Sequence, residues 1–185
     1  MECGKREAAD LLRSDPLKHP APLIRRVYAY VAYRMGDGPD AEDVTSDTFE
    51  RALRYGKSYD PSRGAAITWL LGIARRCIDD YSRRSLELVD EVPEPPPPPA
   101  RLEEDVGRRL QLATAIQGLG QRERELIALR YGADLTAREI GELLGLQTNA
   151  VEVALHRALG RLQATLSGDR GESASPGTAA EETAL

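Results

Sequence analysis

Five consecutive prolines, Pro95 to Pro99, sit inside "LVDEVPEPPPPPARLEED" and set the first limit on the fold. Such a run lacks backbone N–H groups and has φ fixed, so it neither continues a helix nor joins a sheet and acts as a stiff, extended spacer. The sequence therefore predicts two folded segments held apart by a divider. Residues 21–85 and 106–166 are the candidates, with the Pro-rich, acidic linker at 86–105. An N-terminal extension covers 1–20, and 167–185 has the small, polar, acidic composition of a disordered tail.

Charge follows the same division. The formal net charge is −5, yet residues 21–85 carry 11 basic and 9 acidic side chains and residues 107–166 carry 8 and 6. Residues 86–106 carry 1 basic and 7 acidic side chains, so the acid is concentrated in the connector. The folded segments are mildly cationic, and a low pI does not exclude a polyanionic partner for them. No apolar run approaches the roughly 18 residues that span a bilayer, and the N-terminus lacks the apolar core of a signal peptide. A cytoplasmic protein with no direct membrane insertion is expected.

Both segments read as helical, and nothing alternates as a strand should. Helices are predicted near Pro22 to Met35, Ala41 to Tyr55 and Ala66 to Arg84, with Asp40 as N-cap of the second. Beyond the linker they are predicted near Val106 to Gln117, Gln121 to Tyr131, Thr136 to Leu144 and Thr148 to Leu166. The expected fold class is all-α, two small helical domains. Cys3 and Cys77, with only His19 and His156 beside them, match no metal-ligand spacing and read as reduced thiols. No metal or cofactor is expected. Asp79 and Asp80 are adjacent on a helix and point about 100° apart. With no nucleophile–base set apparent, no catalytic residue is expected either.

The second segment contains a helix-turn-helix pattern. Thr136 and Glu139 have the spacing of a capping box, Gly145 supplies a left-handed turn, and Thr148 or Asn149 is placed to cap the next helix. Ile140, Leu144, Leu146, Val151 and Leu155 form the expected buried corner. The outward face then carries Gln147, Thr148, Asn149, Glu152, Val153 and His156, with Arg157 and Arg161 behind them. Asn and Gln pair with adenine, Glu accepts from a cytosine amino group, and arginines with helix-end amides hold phosphates. A helical hairpin with a solvated face is the simpler alternative from these residues alone.

In the first segment, "GDGPDAEDVTSDTFERALRYGKSYDPSRGAAITWLLGIARRCIDDYSRR" sets an acidic helix before one that carries Arg75, Arg76, Arg83 and Arg84 with Trp69 and Tyr81. Cations with aromatics suit single-stranded nucleic acid, where phosphates need charge and unpaired bases need stacking surfaces. Taken with "LGQRERELIALRYGADLTAREIGELLGLQTNAVEVALHRALGRL", the chain resembles the bacterial extracytoplasmic-function (ECF, group IV) RNA polymerase sigma factors over roughly Leu23 to Leu166.

The resemblance implies a promoter-specificity subunit that is not itself an enzyme. Its partners would be core RNA polymerase (the clamp helices of the largest subunit and the flap of the second largest), promoter DNA and an anti-sigma factor. "DAEDVTSDTF" looks like region 2.2, which assigns Asp40, Glu42, Asp43, Asp47 and Phe49 to polymerase binding. The loop from Tyr59 to Ala66 and the following helix look like regions 2.3 and 2.4, which open the −10 element and hold a flipped base. Ser62, Arg63, Thr68, Trp69, Arg75, Arg76 and Asp79 are the candidates there. The C-terminal block looks like region 4, which would place Gln147, Thr148, Asn149, Glu152, Val153, His156, Arg157 and Arg161 at the −35 element. The family's linker threads toward the RNA path, and an acidic, extended segment suits a basic channel. Ser46, Glu152 and Ala154 depart from the family's common residues, and Glu152 weakens a general electrostatic grip on DNA. The competing expectation is a helix-turn-helix regulator that binds DNA without directing polymerase.

Overall fold

A computed structural model describes residues 19–87 and 104–172, with side chains over 19–85 and 107–167. The N-terminal extension, most of the linker and the end of the tail lie outside the described residues. Among the described residues seven α-helices run in order: α1 (Ala21–Met35), α2 (Pro39–Tyr55), α3 (Ala66–Glu87), α4 (Glu104–Gln117), α5 (Gln121–Ile127), α6 (Ala137–Leu144) and α7 (Thr148–Glu172). A single 3-10 turn, Gly56–Ser58, follows α2, and a wider π turn, Ala128–Gly132, continues α5. The described residues contain no strand.

Local chemistry accounts for most of the boundaries. Thr136 accepts from the Glu139 amide while the Glu139 carboxylate accepts from the Thr136 amide at 2.8 Å, so the capping box forms and α6 starts where it was expected. Gly145 ends α6 in the left-handed region, at φ 69°. Two caps differ from expectation. Gly38, not Asp40, precedes α2; Pro39 fills the first helical position, where its missing N–H costs nothing, and Asp40 sits with Glu42 in the first turn. At α7 the first helical residue is Thr148, so Gln147 rather than Thr148 or Asn149 occupies the flanking position. That helix also continues past Leu166 to Glu172, because its backbone ladder persists through two glycines that propensity alone disfavours.

Helices α1, α2 and α3 pack as a three-helix unit around Val27, Tyr30, Val31, Val44, Ala52, Leu70, Leu71 and Ala74. Each fully buried aliphatic side chain there contributes about 1.5–3 kcal/mol relative to an exposed one. Cys77 is buried in the same core, where desolvation raises its thiol pKa, in keeping with an unreactive thiol. The second unit is built on Leu126, Ile127, Leu129, Leu135, Ile140, Val151, Ala158 and Leu162. Of the expected corner, Ile140, Val151 and Leu155 are buried, while Leu144 and Leu146 are half-buried against the core.

The two units do not stand apart. Helix α1 lies against α4, α5 and the π turn, α3 touches α6, and the buried residues of both units form one continuous apolar cluster. The helix expected over Gln121 to Tyr131 is instead interrupted at Ala128. The wide turn returns Ala133 N–H to Ala128 O at 2.9 Å and brings Gly132 onto the backbone of α1.

Candidate nucleic-acid interface

The loop between α2 and α3 is shaped by its own side chains. Asp60 accepts from the Ser62 amide at 2.9 Å and from its hydroxyl at 2.6 Å, which holds the Asp60 carboxyl below its usual range and fixes the turn that presents Arg63. Tyr59 tilts onto Trp69 with ring centroids 5.3 Å apart and planes at 46°. Together with Ser58, Arg63, Gly64 and Thr68 these residues line an open cleft of about 340 Å³ at the start of α3. The cleft has an aromatic wall, an exposed cation at its rim and the half-buried hydroxyl of Thr68 in its lining, features that suit a base removed from its stack.

From Thr68 the same face of α3 continues through Gly72, Arg75, Arg76 and Asp79, at helical steps of three and four. Six of the seven residues expected at the −10 element thus fall on the cleft or on the ridge leading from it; Ser62 braces the loop from behind. The four arginines do not gather on the aromatics as the sequence suggested. Arg83 pairs with Asp80 at 2.8 Å, Arg84 reaches Asp47 at 3.7 Å, and Arg75 contacts Glu125 of the second unit at 2.7 Å. Tyr81 turns toward Asp40, and the nearby carboxylate raises its pKa. Among these four, Arg76 is the exposed cation with no ion pair to a described residue.

The acidic helix α2 divides its candidates between two sides. Asp40, Asp43 and Asp47, at steps of three and four, share the face toward the end of α3, where Tyr81 and Arg84 lie. Glu42 lies on the other side, toward Tyr28, and Phe49 is half-buried against the core. The five residues expected to bind polymerase therefore form one three-carboxylate stripe and two outliers.

In the second unit, α7 buries Val151, Leu155, Ala158 and Leu162 and turns the opposite side outward. All eight expected −35 residues are exposed. Gln147, Asn149, Val153, Arg157 and Arg161 line a cleft of about 540 Å³ between α7 and the start of α5, while Glu152 and His156 sit outside it on the far flank of the same helix. Arg161 is held by Glu123 at 2.9 Å. Ala154, expected only as a departure from the family's common residues, also lines the cleft, as do Ala150 and Arg122, which escaped the sequence reading. The two alanines repeat at a four-residue step and leave the space, which is a signal the sequence carries; Arg122 belongs to another helix, so no local pattern points to it.

Two known domain models match this chain: Sigma-70 region 2 over residues 22–86 and Sigma-70 region 4 over residues 109–162. The ECF RNA polymerase sigma factor ShbA of Streptomyces griseus is 42% identical over 165 residues, covering 81% of this chain and 85% of the relative. The chain belongs to the ECF sigma factor family. Its ECF relative BldN of Streptomyces coelicolor is 31% identical over 77% of this chain, and this chain spans 57% of BldN. The chain thus spans little more than half the length of some curated ECF relatives.

Two solved structures share the fold of this ECF chain. One is CnrH in complex with the cytosolic domain of CnrY, at TM-score 0.58 and 25% identity over 83% of this chain and 86% of that one. The other is the sigma factor RpoE of Bartonella quintana in complex with the anti-sigma factor NepR, at TM-score 0.64 and 20% identity over 83% and 97%. No described helix of this ECF chain is long and apolar enough to cross a membrane.

Proposed function

We propose that this chain directs core RNA polymerase to promoters and helps open them. It acts as a binding subunit in the cytoplasm, while the polymerase performs the chemistry. The observation that carries the reading is the aromatic cleft at the start of α3, continuous with the ridge of Arg75, Arg76 and Asp79 and carried on the same chain as a helix-turn-helix. In this reading a base leaves the −10 duplex and stacks against the aromatic wall that Tyr59 and Trp69 form together. Flipping costs a few kcal/mol, which stacking and edge contacts with Thr68 and Arg63 offset. Helix α7 enters the major groove of the −35 element with Gln147, Asn149 and Val153 at the base edges and Arg157 on phosphate. Arg161, already neutralised in part by Glu123, positions the helix more weakly.

The stripe of Asp40, Asp43 and Asp47 provides the acidic surface for the polymerase clamp helices, and the second unit is available to the flap. An anti-sigma factor, of the kind bound to RpoE of Bartonella quintana, is the expected regulator. A helix-turn-helix regulator that ignores polymerase would use α6 and α7 and leave the acidic stripe without a role. Co-elution with purified core polymerase separates the two. A stable complex is expected, and Asp43→Lys should abolish it without unfolding the chain; a chain that binds duplex DNA but never the polymerase would overturn the reading.

A further inference from the structure

Gly72 is the only glycine in α3, and the packing of the chain does not account for it. Its φ is not in the left-handed region, and a Cβ at that position would have no heavy atom within 4 Å. Inside a helix glycine is the least favourable residue after proline, so the chain gives up stability here without gaining a contact. Gly132 and Gly141 are different. A Cβ on either would run into backbone, 2.9 Å from Tyr30 N in one case and 2.7 Å from Leu146 O in the other.

The position of Gly72 supplies a reason. On a helix surface the neighbours of a residue lie three and four positions away on either side. For Gly72 these are Thr68 and Trp69, which line the aromatic cleft, and Arg75 and Arg76, which begin the ridge leading from it. The half-buried glycine therefore leaves a bare patch of helix backbone framed by four candidate DNA contacts. Arg75 Nε is 2.7 Å from Glu125, a carboxylate that also lies 3.2 Å from Arg34 Nη1. Arg76 is exposed and makes no ion pair to a described residue, which leaves it the more available cation. From Trp69 to Arg76 the helix rises about 10 Å.

We propose that Gly72 is a close-approach point for the unpaired strand, whose sugar–phosphate backbone crosses α3 over the bare patch. The inference rests on the reading of α3 as a DNA-binding face and adds to it the path the strand takes. A base seated on the wall of Tyr59 and Trp69 passes its backbone across Gly72, where a deoxyribose packs on the helix, and the following phosphate accepts from Arg76. Any side chain at position 72 would fill the patch and hold the strand away from the wall and from Arg76 together. Contact with the strand's backbone carries no base information, so the effect is the same for every sequence.

Gly72→Ala and Gly72→Leu in the full-length chain test this, because stability and binding should move in opposite directions. Gly72→Ala adds only a methyl group that meets nothing in the fold, so it should melt about 2–4 °C higher than the parent. Fluorescence anisotropy with a labelled A/T single strand of roughly 12 nucleotides, within the site sizes of such grooves, reads binding. The strand should bind about fivefold more weakly to Gly72→Ala and about tenfold more weakly, or worse, to Gly72→Leu. Gly160→Ala on α7, where a Cβ also has open space, is the control: it should melt higher and bind the strand as the parent does. A Gly72→Ala chain that melts higher and binds as tightly as the parent refutes the close approach, whatever Gly72→Leu does. One that melts lower refutes the premise that the fold leaves this space unused. Trp69→Ala separates these outcomes from a failure of the underlying reading. If it loses binding while the Gly72 variants keep it, only the path over Gly72 is wrong; if it binds like the parent, or the parent does not bind, the DNA reading of α3 falls and the path with it.

Discussion

Gly141→Ala sets two effects of opposite sign against each other in the helix-turn-helix. Inside a helix, alanine is favoured over glycine by about 1 kcal/mol. At Gly141, however, the added Cβ would stand 2.7 Å from Leu146 O, and Leu146 N–H is itself bonded to Gly141 O at 2.8 Å. The obstacle is backbone, in a turn closed by that hydrogen bond, so relief requires α6 and α7 to move apart. Overpacking of this kind costs about 1–3 kcal/mol. The obstacle is unyielding backbone, so the clash outweighs the propensity, and a net loss of up to about 2 kcal/mol is expected, which lowers Tm by up to several degrees for a chain of this size. Gly160→Ala is the control: nothing lies within 4 Å of its added Cβ, so only the propensity acts and Tm should rise. Thermal unfolding by circular dichroism measures both. Binding of a −35 duplex should fall in Gly141→Ala, while single-strand binding along α3 stays unchanged. A Gly141→Ala chain as stable as the parent, with intact duplex binding, would refute the argument that backbone contact sets the α6–α7 angle.

Further expectations concern each surface in turn. Trp69→Ala should weaken single-strand binding by about 1–3 kcal/mol, the worth of one stacked base, and leave duplex binding by α7 unchanged in anisotropy titrations. Glu152→Lys, on the flank of α7 outside the cleft, should raise affinity for unrelated duplexes and steepen the dependence of log K on log salt; no change in either places Glu152 off the interface. Asp80 accepts from Arg51 at 2.8 Å, which holds its carboxyl below the ordinary value. The stabilisation from this tie is present above the unfolded carboxylate pKa and disappears as pH falls through the depressed folded one. The Tm difference between the parent and Asp80→Asn should therefore be constant at neutral pH and vanish in strong acid; a difference that grows on acidification would reverse the assignment.

What the sequence made legible was local. The capping box at Thr136 and Glu139 and the left-handed Gly145 depend on residues within a few positions of one another, so the α6–α7 hairpin could be written down before any coordinates. The same holds for the alternation of buried and exposed positions along α7, which puts seven of the eight expected −35 residues on its surface, with Gln147 exposed just before it. The cap of α2 was misread because Asp40 is a good N-cap by residue type, whereas Gly38 and Pro39 meet the backbone requirement two residues earlier. The docking of the two units was hidden for a different reason. Arg34, Arg75 and Glu125 lie on three helices and on both sides of the proline run, and no periodicity links them. The π turn was hidden with it: "ALRYG" has ordinary helical content, and only the approach of Gly132 to α1 explains why the helix opens there. The division of the acidic candidates, three carboxylates on one side of α2 and Glu42 and Phe49 on the other, follows from helical geometry once the helix is fixed. It was masked by carrying over a motif as a block.

The most direct test of the account is runoff transcription with purified core RNA polymerase on fragmented genomic DNA from the source organism. Adding this chain should produce transcripts with discrete 5′ ends whose upstream sequences share two spaced elements, and Trp69→Ala should lose those transcripts while still co-eluting with the polymerase. Transcripts no different from those of core polymerase alone, by a chain that forms the complex, would contradict it.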